Sequence, residues 1–314
     1  MENIIEYVTG LAVGEPQTYR NMSVFPLMGN SSGLDYLVFD EAMNAGLKIT
    51  ETGSVPTLHF TNNTGKKVLI MQGEYAVGGK QNRMVATNVL MAKGFDGDVP
   101  VRCVQQGRWT GGLEGVFYSA QRKAPHNVMM AESQQGVWSE VSNLSADLGV
   151  RSATGNLEDS FSQRANDVGD YTSNFDYVPG SVGIVVVLAN GGISISADIF
   201  DKQSTMRKNF NKIVESHALE AISNRGLDVG VVNSAAFDPA EFLEKIASCQ
   251  FHERTAVSLG RDFRLVGPIS GFALDNYGAP LYVSLSSTTV RRPIQIPRFE
   301  TRFSRGGDIN WIID

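Results

Sequence analysis

Val55-Pro56-Thr57-Leu58-His59-Phe60-Thr61, then Asn62-Asn63-Thr64-Gly65, then Lys67-Val68-Leu69-Ile70-Met71-Gln72 is the stretch on which the fold turns. Two apolar, β-branched runs of strand length flank four residues whose amide and hydroxyl groups turn the chain on itself, which predicts an antiparallel hairpin. Working outward, Arg83–Met91 and Pro100–Gln105 flank the turn-forming Gly94-Phe95-Asp96-Gly97-Asp98 and extend the same sheet. Residues 55–105 therefore read as a β-meander, with Gly73, Gly78 and Gly79 in a connection between strands.

The C-terminal half repeats the theme with helices between strands. Val137, Trp138, Val141 and Leu144 stand at helical spacing inside a polar region, and the stretch from Asp159 to Asp176 reads as partly helical. Gly183–Leu188 and Ile193–Phe200 flank Ala189-Asn190-Gly191-Gly192, an Asn-Gly signal for a second hairpin. Met206, Phe210, Ile213, Val214, Ala218 and Ala221 recur at three and four, predicting a helix with Arg207, Lys208, Lys212 and Glu215 toward solvent. Asp238-Pro239-Ala240-Glu241 reads as an N-cap, a first-turn proline and a capping-box glutamate, with Phe237 and Phe242 as a hydrophobic staple, and the helix runs to about Ser248. Phe263–Ser287 gives two more strands around Asp275-Asn276-Tyr277-Gly278. Hairpins separated by helices make an α+β fold, a single large domain over 20–287 between an N-terminal segment, 1–19, and a C-terminal tail, 288–314.

The composition narrows the function classes. At 314 residues, 42% hydrophobic and 19% charged, with a formal charge of −6, the chain is globular and lacks the basic excess that nucleic-acid binding requires. Cys103 and Cys249, far apart in sequence, predict reduced thiols and a cytoplasmic protein. Met1–Val13 does not read as a secretory signal, and the apolar run Ile184–Ala189 is far too short to cross a bilayer. No membrane partner is expected. The tail alternates Arg291, Arg292, Arg298, Arg302 and Arg305 with Ile294, Ile296, Phe299 and Phe303 and ends in Ile309-Asn310-Trp311-Ile312-Ile313. Such an apolar end docks onto its own domain or onto a neighbouring subunit, so Arg291–Asp314 is a candidate homo-oligomer contact.

The chemistry concentrates between Gly73 and Trp109. Gly73-Glu74-Tyr75-Ala76-Val77-Gly78-Gly79-Lys80-Gln81 comes near a phosphate-binding P-loop, but Gly79 occupies the lysine position and no Ser or Thr follows Lys80. A looser anion site remains: backbone amides at Gly78 and Gly79, with Lys80, Arg83 and Arg108 supplying charge and bidentate hydrogen bonds. The alternative is that Lys80 and Arg83 decorate an edge strand while Arg108 pairs with an acid. Glu74, at a strand end, is the candidate general base or acceptor for ligand hydroxyls; an ion pair with Arg83 or Arg108 is its bland counterpart. Trp109 could stack on a planar ligand, whereas Trp138 falls at core spacing. Cys103 reads as a buried strand residue with no histidine nearby in sequence to activate it. His59, His126, His217 and His252 show no metal-ligand spacing, so neither metal nor cofactor is expected.

These residues also carry a resemblance. Gly73-Glu74, Gly78-Gly79-Lys80-Gln81-Asn82-Arg83, Val99-Pro100-Val101 with Cys103, and Gly107-Arg108-Trp109 are similar to the signature of the ADP-ribosylglycohydrolase and rhodanese-phosphatase associated protein family. Asp40-Glu41-Ala42, Glu51 with Gly53-Ser54-Val55-Pro56, and Ala197-Asp198-Ile199-Phe200-Asp201 leading into the helix through Ala221 resemble its other blocks, over roughly residues 20 to 287. The resemblance implies a role near NAD-derived metabolites such as ADP-ribose. Lys80, Arg83 and Arg108 would then hold phosphate, Glu74 and Gln81 the ribose hydroxyls, and Trp109 the base. Gln105 stands where an acid is expected, which favours recognition over catalysis. The other reading is a non-catalytic, self-assembling protein joined through its tail.

Overall fold

The computed structural model describes residues 1–108, 117–189, 193–223 and 237–287. The chain opens with helix α1 (Glu2–Thr9) and strands β1 (Ala12–Val13), β2 (Gln17–Tyr19), β3 (Met22–Met28) and β4 (Tyr36–Val38). Helix α2 (Phe39–Ala45) leads into β5 (Leu47–Glu51), β6 (Thr57–Asn62), β7 (Lys67–Ile70), β8 (Glu74–Gly78), β9 (Arg83–Val85), β10 (Val89–Met91), β11 (Asp96–Cys103) and β12 (Phe117–Lys123). Four helices follow, α3 (His126–Met130), α4 (Gln134–Asp147), α5 (Leu157–Gln163) and α6 (Ala165–Thr172). The hairpin β13 (Ser181–Ala189) and β14 (Ile193–Phe200) precedes α7 (Gln203–Ser223) and α8 (Pro239–Glu244). The described part closes with β15 (Gln250–Arg254), β16 (Arg261–Val266), β17 (Ile269–Asn276) and β18 (Ala279–Ser287). The fold is α+β, as expected.

Three sheets carry the architecture. The largest is nine-stranded and antiparallel, in the order β1-β3-β13-β14-β18-β17-β16-β15 with β2 also on β3. Its centre is covered on both faces, which is why β13 is a nearly continuous apolar run. Ile184, Val186 and Leu188 point into an inner core that also holds Met206, Phe210 and Ile213 of α7, while Val185, Val187 and Ala189 join an outer core closed by Ile4 and Val8 of α1 and Phe242 and Leu243 of α8. A six-stranded sheet, β12-β8-β9-β11-β6-β5, and a three-stranded sheet, β10-β7-β4, enclose a third core with α2.

The stretch 55–72 holds the main correction. The turn forms as read, with Asn62 Oδ1 accepting from the Thr64 amide at 3.1 Å and Gly65 at φ 71°. The two strands, however, do not pair. β6 pairs with β5 and β11, and β7 pairs with β10 and, in parallel, with β4. Burial explains the parting: β6 alternates between half-buried and buried positions, whereas Val68, Leu69 and Ile70 are all buried. A strand apolar on both faces is drawn between two cores and leaves a neighbour that needs one face in water.

Smaller differences have local causes. Glu74–Gly78 is strand rather than connection, so only Gly79 to Asn82 link β8 to β9. The expected run Arg83–Met91 breaks at Ala86–Asn88, where the Thr87 and Asn88 side chains turn to Asp262. Lys212 is buried, not solvent-facing, because α7 is packed on more than one side. Asp238 caps α8 through the amides of Ala240 and Glu241, but the Glu241 carboxylate pairs with Lys245 at 3.3 Å and does not complete a capping box. Trp109, the Asn190-Gly191-Gly192 turn and the tail Arg291–Asp314 lie outside the described residues. No helix among the described residues is long and apolar enough to cross a membrane.

Candidate functional site

The glycine turn and Arg108 come together, and the geometry is that of a brace rather than of an anion site. Arg108 donates from Nε to Gln105 Oε1 at 2.8 Å, from Nη1 to the Gly79 carbonyl at 3.1 Å, and from Nη2 to the Gly78 carbonyl at 3.1 Å and Asn82 Oδ1 at 3.3 Å. Gln81 donates to the Gln105 carbonyl at 2.9 Å, and the Lys80 amide donates to Glu51 Oε1 at 2.7 Å. Arg83 is fully buried, with Nη2 3.9 Å from Glu51. A Cβ on Gly79 would lie 2.4 Å from the Phe117 ring, so the turn is packed rather than open to a ligand. Gln105 suits this setting better than a carboxylate: its oxygen accepts from Arg108 while its amide nitrogen donates to Thr154 Oγ1 at 3.0 Å. The Lys80 side chain is exposed.

Glu74 belongs to a different network, closed inside the molecule. Its Oε1 receives Lys212 Nζ at 2.6 Å and its Oε2 the Met71 amide at 2.7 Å. Burial raises its pKa, with Lys212 pulling the other way. Lys123, opposite Glu74 in the β8–β12 register, sits 3.1 Å from Asp198 of β14. Asp198 also accepts from the Tyr282 hydroxyl, and His217 lies 3.7 Å from Asp198 and 3.5 Å from Glu220. Burial pushes Asp198 up, but Lys123, His217 and Tyr282 outweigh it and hold the carboxylate below its ordinary range. Lys123–Asp198 ties the six-stranded sheet to the nine-stranded one, and Glu74–Lys212 ties β8 to α7. Cys103 likewise faces inward: burial raises its thiol, and Sγ contacts the Gln105 carbonyl at 3.0 Å.

The open polar site is elsewhere, where the β15–β17 end of the large sheet meets the β7–β8 and β9–β10 links, β11 and the α3–α4 link. A cavity of about 300 Å³ is lined there by Arg102, Arg254 and Arg264, with Gln72, Phe272 and Glu132 among the other walls. Strand register builds it. Arg254 lies opposite Asp262, and Arg264 opposite Phe272, while Phe263 and Leu265 between them enter the outer core. The alternation of β16 thus turns Asp262 and Arg264 inward, toward the cavity.

Each guanidinium is held differently. Arg254 donates to Asp262 Oδ2 at 2.6 Å and to Gln72 Oε1 at 3.2 Å. Its Cζ lies 4.9 Å from the centre of the Phe272 ring, and that of Arg264 lies 5.8 Å from the same ring. Arg264 pairs with the Glu132 carboxylate at 2.5 Å, and Arg102 donates to the Glu132 carbonyl at 2.7 Å. Asp262 is wholly buried and also receives Thr87 Oγ1 at 2.6 Å and Asn88 Nδ2 at 3.3 Å. Burial lowers the pKa of Arg254 and of Arg102, and Arg254 lowers that of Arg102 further, the mark of like charges held close. Three guanidiniums face two carboxylates. The remaining excess is positive.

The sequence pattern of the ARG and Rhodanese-Phosphatase-superfamily-associated Protein domain matches residues 10–283. The chain belongs to this family. Neither a curated protein nor a solved structure matches it. For this family member, the matched region contains the glycine brace, the buried ion pairs and all three cavity arginines.

Arg102, Arg254 and Arg264 escaped the sequence reading because Arg102, on β11, lies far along the chain from Arg254 and Arg264 on β15 and β16, and the three share no spacing. One signal was available. On β16, Asp262 and Arg264 alternate with Phe263 and Leu265, a pattern that places two charges on one face of a strand whose other face is core. No group of three or more His, Cys, Asp or Glu residues among the described residues is arranged to hold a metal. His59 touches Asp98 through Nδ1 at 2.9 Å and Asp96 through Nε2 at 3.0 Å, so its two acids lie at different ring edges.

Proposed function

We propose that this protein recognises a small phosphate-bearing metabolite, of the ADP-ribose or related NAD-derived class, in the cavity walled by Arg102, Arg254 and Arg264. The observation that carries the reading is the convergence of three guanidiniums on one cavity with fewer carboxylates than cations. Guanidinium matches phosphate oxygens in a two-point fork and keeps its charge at any physiological pH. Phe272 stiffens two of the three arginines by stacking, so less freedom is lost when an anion arrives. The cavity volume, about 300 Å³, is at the lower end of the range of ligand pockets and suits a phosphate or diphosphate with its adjoining sugar. The family description, which names ARG, supports ADP-ribose as the first ligand to try. Recognition is favoured over catalysis because the residues lining the cavity include no histidine or cysteine, and their one carboxylate, Glu132, sits at the exposed rim.

Calorimetric titration of the full chain with ADP-ribose, NAD, ADP, ribose 5-phosphate and pyrophosphate tests this. Sub-millimolar binding of at least one, weakened about tenfold or more in Arg102→Gln and Arg264→Gln and falling with salt, is the expected result. Absence of binding at millimolar concentration for the whole panel, or affinity unchanged in both variants, overturns it.

A further inference from the structure

The carboxylate of Glu132, we infer, is a resident counter-ion of the arginine cavity that an incoming anionic group must displace, so that this side chain sets how tightly the site binds. The inference rests on the anion-recognition reading above and concerns how that site is regulated.

The two carboxylates of the site are held in opposite ways. Asp262 is wholly buried beneath Arg254 and fixed by Thr87 and Asn88, whereas the Glu132 side chain is 71% exposed and reaches Arg264 from the rim. An exposed ion pair is weak and readily exchanged, while a buried, multiply bonded carboxylate is not. The backbone on either side of Glu132 is pinned. Arg102 holds its carbonyl at 2.7 Å, and Ser133 caps α4 through the Gly136 amide at 3.0 Å. Gln134 clamps the β11 backbone by receiving the Cys103 amide and donating to the Cys103 carbonyl, both at 2.8 Å. The side chain can therefore swing off Arg264 by rotation about its own bonds while the wall of the cavity stays in place. In the unliganded protein it neutralises part of the positive excess. A phosphate taking Arg264 substitutes one charge-assisted pair for another and gains the fork geometry and the second and third guanidiniums besides.

The test is calorimetric titration of the 314-residue chain with pyrophosphate and with inorganic phosphate, comparing wild type with Glu132→Gln and Glu253→Gln. Glu253 is exposed on β15 beside Arg254 and does not line the cavity, so its variant removes one nearby surface charge without removing the counter-ion. E132Q is expected to bind pyrophosphate about three to ten times more tightly, the loss of one competing rim pair, and E253Q to differ from wild type by less than about twofold. Glu132 is a surface side chain, and an unchanged circular dichroism spectrum and melting temperature establish that E132Q is folded. If wild type binds pyrophosphate and E132Q binds it equally or more weakly, or if E253Q tightens binding as much as E132Q, the counter-ion inference fails while the recognition reading stands. If neither wild type nor E132Q binds either probe, this inference fails, and the recognition reading fails with it when the nucleotide and sugar-phosphate panel gives no binding either.

Discussion

Replacing Lys123 by methionine breaks the tie between the two large sheets at its centre. Lys123 and Asp198 are each 2% exposed and 3.1 Å apart, so the variant leaves a carboxylate buried without its main cation. Breaking a buried pair from one side costs roughly 3–5 kcal/mol, and the remaining Tyr282 and His217 contacts put this case near the lower figure. His217 makes the cost depend on pH. Burial lowers its pKa, but Asp198 and Glu220 outweigh burial and raise it above the ordinary value. A histidine raised in the folded state contributes stability that is full below the unfolded pKa and is lost as pH rises through the folded one. Without Lys123, the imidazolium is the cation that remains on Asp198. The deficit of K123M should therefore be about 3 kcal/mol near pH 6 and about 4–5 kcal/mol near pH 8.5. Urea unfolding followed by far-ultraviolet circular dichroism, with wild type in parallel at both pH values, measures it. A deficit under about 1 kcal/mol at both, or one larger at the lower pH, refutes the reasoning.

Other perturbations separate structure from recognition. Arg108→Ala removes four hydrogen bonds around the glycine turn and is expected to cost about 2–3 kcal/mol in chemical unfolding while leaving pyrophosphate affinity unchanged; a folded R108A that no longer binds anion would move the site to the turn. Gly79→Ala meets both φ 53° and a Cβ position 2.4 Å from Phe117, so a stability loss of at least about 2 kcal/mol is expected, and a neutral result would show that the turn is not packed as described. Burial holds the His126 pKa down at about 4 against an ordinary 6.5. For a base lowered in the folded state, the unfolded chain binds more protons, so the contribution is present above pH 6.5 and is lost as pH falls toward 4. Unfolding free energies across that window should slope by up to about 1.4 kcal/mol per pH unit. His126→Asn should flatten this slope, and an identical slope in the variant counts against the assignment.

What the sequence made legible was local. The β13–β14 pairing of consecutive apolar runs, the Asp238 cap and the helical spacing of Val137, Val141 and Leu144 are each decided by residues close together in the chain. Partner choice was not. The turn at Asn62–Gly65 formed, yet its flanking strands entered different sheets, because burial on both faces of β7 is a property of the assembled cores. The same gap hid the site. Glycines and basic residues cluster in sequence between Gly73 and Arg108 because one turn needs a brace, while the cavity draws its arginines from β11, β15 and β16. Lys212 shows the principle in miniature: helical spacing could place it beside Glu215, but only the approach of β8 could bury it against Glu74.

Holding the seam together explains Arg254 and does not explain Arg102 and Arg264. Asp262 is already served by Arg254, Thr87 and Asn88, and that network alone joins β15 and β16 to the link between β9 and β10. The other two arginines bring further positive charge into the same cavity, share Glu132 as counterpart, and in the case of Arg102 are lowered by Arg254 as well as by burial. Apolar side chains of similar length would pack the seam at no greater cost than partly buried charges. A local arrangement that folding does not require is the place to look for function. Replacing both arginines, as R102M/R264M, keeps the stems and removes the charge. Stability should then stay level or rise by up to about 1 kcal/mol, while pyrophosphate binding is abolished. Loss of more than about 2 kcal/mol in urea unfolding would show that these two charges serve the fold after all.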